Sequence, residues 1–342
     1  MKKSPSPERI LLAHGSGGTD SHRLITEELL SRFGNPILDA LEDQGSFYLD
    51  ENRLALTTDS YVVSPLFFPG GNIGDLAVNG TINDLVVGGC EPLYLTLALI
   101  IEEGFPMSDL GRILDSAAEA AKTAGVTVIA GDTKVVDRGS ADGLFINTSG
   151  IGRTADPRRV KLSAAAIRPG DRVLLSGTIG DHGMAVLTCR EGLKFETPIM
   201  SDTAPLHELI GIILRRPESV RAMRDPTRGG LASSLVEMAG ASGVTIEIRE
   251  ECLPMREEVR GACEILGLDP IYVANEGKVL AFLSPDAADG ILEEVRRHPQ
   301  GREAELIGEV TESSRGKVIM STAIGGRRIV TMLTGDQLPR IC

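Results

Sequence analysis

Residues 57–85 read TTDSYVVSPLFFPGGNIGDLAVNGTINDL, and they close one strand and open one helix. Arg53 to Thr58 has strand composition and is expected to run back along Ser46 to Leu49 across the turn Asp50-Glu51-Asn52. Residues 72–89 alternate small and apolar side chains and predict a helix with Asn and Asp on one side. Asp59 follows the strand and Asp84 lies within the helix. A lone aspartate is ordinarily a turn former or a cap. Asp84 resists that reading, because it places an acid inside an otherwise apolar helix.

Outward from this stretch the pattern is α+β. Upstream, Leu24, Ile25, Leu29, Leu30 and Phe33 form a helical stripe over residues 20–33, stopped by Gly34. Downstream, LYLTLALII (93–101) predicts a buried strand. Residues 108–124 predict a helix with Leu110, Ile113, Leu114, Ala117 and Ala121 inward and Gly125 as its stop. VTVIA predicts a strand that ends at Gly131-Asp132-Thr133, and LFINTSGIG closes the first half. Residues 153–170 have linker composition. The second half begins with the strand DRVLLSG. It then predicts helices near 181–190, 204–216, 228–241, 255–266 and 286–297, with strands near 244–248, 278–283, 304–310, 316–321 and 327–333. AEAAKTAGVTVIAGD and LVEMAGASGVTIEIREE echo one another as helix, glycine, strand, which favours two related halves.

Composition narrows the function. The 342 residues suggest two domains, and 42% hydrophobic content with no Trp implies an aliphatic core. A net charge of -13 argues against a general nucleic-acid binder. No apolar run approaches the roughly 20 residues of a membrane span. MKKSPSPERILLAHG is too short in apolar residues for a signal-peptide core and is expected to be disordered. Five cysteines, an odd number without a C-x-x-C pair, argue against a disulfide framework or a zinc site and fit a reducing cytoplasm.

Several short segments carry chemistry. HGSGGTD (14–20) is a Gly-rich loop entering a helix, suited to an anion or to nothing more than a turn. Asp43, Asp59, Asp84 and Asp132 end or interrupt apolar segments, as ligands of magnesium on a nucleotide would, or as turn formers. Lys134 is placed to neutralise a phosphate. In DPTRGG (225–230), Pro226 suits a helix start, Asp225 is a cap or a metal ligand, and Arg228 a partner for phosphate or for nothing. NEGK (275–278) sets Glu276 before a strand, as a base or a turn residue. Cys342 is the terminal residue of TGDQLPRIC, a predicted mobile tail with a reach of roughly 30 Å at about 3.3 Å per residue. A thiol there reads as a carrier arm, or as a chance terminal residue.

The ordered set HGSGG, TTDSYVVSPLFFPGGNIGDLAVNGTINDL, AGDTKVV, DPTRGG, NEGK and terminal PRIC resembles the HypE family of hydrogenase maturation factors, the carbamoyl dehydratases, over about residues 10–342. The resemblance implies an α/β (α+β) fold of the two-domain aminoimidazole ribonucleotide synthetase type, with first domains forming a shared β-barrel in a homodimer. It divides the chain into a flexible N-terminus with a Gly-rich lid and helix (1–35), an ATP-binding and dimerisation domain (36–155), a C-terminal α/β domain (165–333) and a mobile tail (334–342). It implies ATP and Mg2+, with Asp43, Asp59, Asp84, Asp132 and Asp225 as metal ligands. Asp59, Asp84, Asp132 and Lys134 would bind ATP, with Gly15, Gly17 and Gly18 folding over it. Cys342 would carry a carbamoyl group, Glu276 would be the base, and Lys134 would steady the transferred phosphoryl group. The implied partners are the carbamoyltransferase HypF and the HypC–HypD complex, with no nucleic acid and no membrane, in the cytoplasm. Two alternatives stay open from the residues alone: an enzyme of the same superfamily acting on a free small molecule, and a scaffold whose tail is a docking peptide.

Overall fold

The computed structural model describes residues 12–15, 17–154, 156, 159–190, 199–311, 316–335 and 340–342. Parts of the predicted disordered N-terminus and mobile tail therefore lie outside the described residues, as does residue 16 of the Gly-rich loop.

The first sheet contains β1 (Gly45–Leu49), β2 (Asn52–Tyr61), β5 (Glu91–Glu102), β6 (Thr127–Val136) and β7 (Leu144–Arg153), in the order β1-β2-β7-β5-β6. The short pair β3 (Phe67–Phe68) and β4 (Gly71–Asn72) precedes α3 (Ile73–Val87). Before these, Thr19–Arg23 (α1) and Leu30–Phe33 (α2) flank a π-helical turn, Leu24–Leu29. The helix α4 spans Met107–Thr123.

The helix α3 explains the architecture. Asn72 caps it, accepting from Gly74 N at 2.8 Å, while Asp75 accepts from Asn72 N at 2.7 Å. Almost every residue of α3 is buried, because it is enclosed on all sides. One side lies on β2, β7 and α4. The other packs Val78, Ile82 and Val86 into a core shared with Leu174, Leu206 and Leu209 of the second half. The two halves therefore meet on this helix, and the polar side chains that α3 carries sit between them.

The second sheet runs β14-β13-β10-β12-β8-β11-β9. Its strands are β8 (Arg172–Leu175), β9 (Val220–Arg224), β10 (Thr245–Arg249), β11 (Leu280–Leu283), β12 (Glu305–Thr311), β13 (Lys317–Ser321) and β14 (Arg327–Val330). The helices α6 (His207–Ile213) and α9 (Pro285–Arg296) contribute to the core shared with α3. The helix α7 (Gly230–Ser242) packs in a second cluster with Ile246, Phe282 and Val318. The helices α5 (Asp181–Arg190) and α8 (Glu257–Leu266) form a smaller cluster around Met184 and Val259. The echoed segments fold alike, as α4–β6 and α7–β10, each turned by a glycine.

Four expectations are corrected. LYLTLALII is only half buried, because helices cover one face of its sheet and leave the other open. Residues 20–33 are not one α-helix, because the π-helical turn Leu24–Leu29 interrupts them, and Ile25, Leu29 and Phe33 of their stripe are exposed. Leu114 is also exposed on α4. The strand predicted for VTVIA continues to Val136, because residues 131–136 keep pairing with β5 in parallel.

Candidate active site

Position on the sheet sets which carboxylates can meet. On β2, Ala55, Thr57, Asp59 and Tyr61 alternate toward α3. Asp59 accepts from Tyr61 Oη at 3.2 Å. Asp84, one turn before the end of α3, accepts from Thr57 Oγ1 at 2.6 Å. Asp43 pairs with Arg224 Nε at 3.4 Å. Arg224, at the end of β9, also binds Glu237 at 2.7 Å and the Leu41 carbonyl at 3.2 Å. Asp225 follows it and is buried.

These four aspartates feel one another. Burial and the charges of Asp59, Asp225 and Asp43 push Asp84 well above the usual carboxylate range. Burial, then Asp43, pushes Asp225 up to about 8. Burial raises Asp43 to about 6 although Arg224 opposes it. Among the described residues no three His, Cys, Asp or Glu side chains already converge as a metal cage. The donor set nevertheless fits a hard divalent cation: it is carboxylates only, and in Asp43, Asp84 and Asp225 burial and neighbouring charge destabilise the ionised form. A cleft of about 250 Å3 borders the cluster, lined in part by Glu42, Asp43, Gln44 and Arg53.

The end of the chain joins this cluster. Cys342 accepts at its carboxylate from Val62 N at 3.1 Å, and Ser64 N donates to Arg340 O at 3.2 Å. Arg340 stands at φ +55 and is paired with Asp142. Ile341 is buried against Tyr61, Val63 and Phe68. The Cys342 thiol is pushed up to about 12 by burial; Arg228 pulls it down, while Glu276 and Asp59 push it up. The predicted mobile tail therefore has its last three residues docked. A docked thiol stays protonated near neutral pH and is a poor nucleophile.

Glu276 is 3% exposed and its Oε1 has no hydrogen-bond partner. Burial raises its pKa well above the ordinary range, with Asp225, Asp202 and Asp59 adding to it and Arg228 opposing. Its backbone N–H donates to Asp202 at 3.1 Å, and Asn83 Nδ2 donates to its carbonyl at 3.2 Å. A buried acid with an unpartnered oxygen, whose charge the Cys342 thiol feels, can accept a proton once it is ionised.

The glycine loop meets the same region. Gly17 is at φ +73, and a Cβ there would lie 2.8 Å from Arg228 O; one on Gly18 would lie 2.3 Å from Leu333 O. Only glycine permits that approach over DPTRGG. Gly15 ends the short turn Leu12–Gly15 before it. The predicted start of α7 at Pro226 is corrected: the helix begins at Gly230, with Gly229 at its cap.

Asp132 and Lys134 do not join the cluster within one chain. Asp59 pairs with Thr148, Thr148 with Leu97 and Leu97 with Gly131, so Asp132 points to the opposite face. Three strand spacings separate β2 from β6, roughly 14 Å. The two side chains are 62% and 66% exposed and pair with one another at 2.6 Å.

Residues 41–154 match the model of the AIR synthase related protein N-terminal domain, and residues 168–321 that of its C-terminal domain. Carbamoyl dehydratase HypE of Azotobacter vinelandii is 52% identical over 333 residues, 97% of each chain. The chain belongs to the HypE carbamoyl dehydratases. Membership makes it an enzyme of hydrogenase maturation and assigns the fold to the HypE type. A solved HypE in a complex with HypF superposes with a TM-score of 0.86 at 51% identity, covering 91% of this chain and 99% of that one. A solved HypE in complex with ATP gives a TM-score of 0.82 at 45% identity, covering 98% and 100%. Among the described residues no helix is long and apolar enough to cross a membrane.

Sequence reasoning passed over Tyr61, His182, Ser201 and Asp202. Tyr61 carried no signal, because the predicted strand stops at Thr58 whereas β2 runs on through Asp59 to Tyr61. The other three lie in segments with no motif.

Proposed function

We propose that this HypE family member uses ATP to dehydrate a carbamoyl group on its own Cys342. The observation that carries the reading is the docking of Cys342 on Val62, next to Tyr61 at the end of the strand that bears Asp59, where its thiol feels the charges of Arg228, Glu276 and Asp59. The amide oxygen of S–C(=O)NH2 takes the γ-phosphoryl group and ADP leaves, while one N–H proton is lost. Phosphate then departs with the C–O electron pair and the second N–H proton is lost, leaving S–C≡N. Glu276 takes a proton from nitrogen, and Arg228 offsets negative charge at the reacting carbon's substituents.

Asp43, Asp59, Asp84 and Asp225 are the metal-facing set, and bound Mg2+ would supply charge neutralisation for them and for the phosphates. Gly15, Gly17 and Gly18 close over the nucleotide. A second copy packed on the open sheet face contributes Asp132 and Lys134 to the site, which assigns the shared barrel and the homodimer a chemical purpose. The high pKa of the docked thiol means that Cys342 acquires its carbamoyl group while undocked, from a HypF-type transferase. The HypF and ATP complexes of solved relatives support both parts. The cyanide then passes to an iron-carrying HypC–HypD complex in the cytoplasm. The test is Glu276→Gln: carbamoylated Cys342 should accumulate with ATP bound and fail to lose water. Normal dehydration by that variant would remove Glu276 from the mechanism.

A further inference from the structure

Backbone bonds hold the tail alongside the side chains of Arg340 and Ile341. Arg340 O accepts from Arg190 Nη2 at 2.9 Å as well as from Ser64 N, and Ile341 O lies 2.8 Å from His182 Nε2. His182 is fully buried. A carbonyl can only accept, so Nε2 carries the ring proton and Nδ1 is left as an acceptor. Nδ1 faces Ser201 Oγ at 2.8 Å, and Ser201 Oγ in turn accepts from Thr203 N at 3.2 Å. Phe68 stands edge-on to the ring at 5.3 Å. Burial holds the imidazole neutral, so one tautomer is maintained.

The next residue faces the other half of the reaction. The Asp202 carboxylate accepts from Glu276 N and Gly277 N, each at 3.1 Å, and from Lys278 Nζ at 2.8 Å. A Cβ on Gly277 would fall 1.8 Å from Asp202 O, so this strap and the loop bearing Glu276 touch backbone to backbone. Ser201 thus orients the ring that grips the tail, and Asp202 anchors the loop that carries the base.

We propose that His182 is a positioning residue: by holding the carbonyl next to Cys342 it sets the tail's terminal group against Glu276, in register with the strap that holds Glu276 itself. The inference rests on the reading of Cys342 as carrier and Glu276 as base. It accounts for a buried, neutral histidine far from any motif and for the adjacency of its partner to Asp202.

The test uses the full chain with His182→Gln and His182→Leu. Glutamine offers an amide N–H near the place of Nε2, and leucine fills volume without a donor, so the pair stays informative even if packing suffers equally in both. The first readout is alkylation of Cys342 by iodoacetamide in unmodified protein, followed on the C-terminal peptide. The leucine variant should react about tenfold faster than wild type, the shift that loss of one buried hydrogen bond produces, and glutamine should restore most of the protection. The second readout is single-turnover dehydration of carbamoylated Cys342, which should fall in the leucine variant with the KM for ATP unchanged. Alkylation or dehydration of the leucine variant at the wild-type rate overturns the proposal, as does glutamine behaving like leucine. Alkylation separates the two ideas: it is read in the His182 variants with Glu276 intact, whereas the effect of Glu276→Gln on dehydration bears on the base alone.

Discussion

Truncating Ile341 to alanine should free the tail without touching a reacting group. Ile341 is 3% exposed and packs with Tyr61, Val63, Phe68 and Ile73. The bonds through Arg340 O and the Cys342 carboxylate are backbone bonds and survive the substitution. A buried Ile→Ala change costs about 2–5 kcal/mol. For a terminal segment that undocks as a unit, this cost falls on the docking equilibrium rather than on global stability. Even about 2 kcal/mol lowers the docked-to-free ratio roughly thirtyfold, since 1.4 kcal/mol is tenfold. Alkylation of Cys342 reads that ratio. The docked thiol, pushed up to about 12, is almost wholly protonated near neutral pH. A free tail has the ordinary thiol pKa of about 8.5. The variant should therefore alkylate on the order of thirtyfold faster, with an unchanged urea midpoint. An unchanged alkylation rate would refute the argument, because hydrophobic anchoring would then contribute nothing to docking.

Other substitutions test other parts. Asp84→Asn should abolish dehydration yet raise the thermal midpoint of the nucleotide-free protein at neutral pH, since Asn is neutral without the proton that burial and three neighbouring carboxylates force Asp84 to take up; a lowered midpoint contradicts the repulsion argument. Asp132→Ala and Lys134→Ala should leave stability within about 0.5 kcal/mol, both being exposed. Their activity should return on mixing with Cys342→Ala protein if they act across a dimer; no recovery on mixing removes the cross-dimer role. The dehydration rate should rise with pH through an apparent pKa above the ordinary carboxylate range, because the base must be ionised and Glu276 is raised. The sign is opposite to that of a general acid, so a rate that falls over the same interval excludes Glu276 as base.

Much of the fold was legible because local and tertiary preferences agree. The pattern of α3 announced its helix, and Asn72 and Asp75 supplied its cap. Strand limits were less legible, because they depend on partners distant in sequence. Residues 131–136 are strand only because β5 offers them a parallel edge. The five-residue β9, VRAMR, carries two arginines that look like surface residues, yet Arg224 is buried among Glu42, Asp43 and Glu237. The stripe over residues 20–33 predicted a helix, and periodicity alone cannot say whether such a face meets its own chain.

The site divides in the same way. Asp43, Asp59 and Asp84 carried a signal as acids that end or interrupt apolar segments, and Asp225 as a cap or ligand in DPTRGG; they feel one another's charge because α3 adjoins both β2 and β9. Asp132 and Lys134 carried the same signal, and strand order puts them on another face. His182 had none: DHGM is an ordinary helix start, and only the docked tail gives its ring a purpose. Cys342 was legible as a terminal thiol, but its docking depended on contacts with residues 62–64 and 182–190 that no spacing encodes.

The central claim is that Cys342 carries the substrate and this chain removes the water. Intact-protein mass spectrometry of the C-terminal peptide tests it directly, after treatment with a HypF-type transferase, carbamoyl phosphate, ATP and magnesium. The account predicts that Cys342 gains one carbamoyl group and then loses one water only when ATP and magnesium reach this protein. A Cys342 that stays unmodified beside a demonstrably active transferase, or a carbamoyl group that persists with ATP and magnesium present, would contradict it.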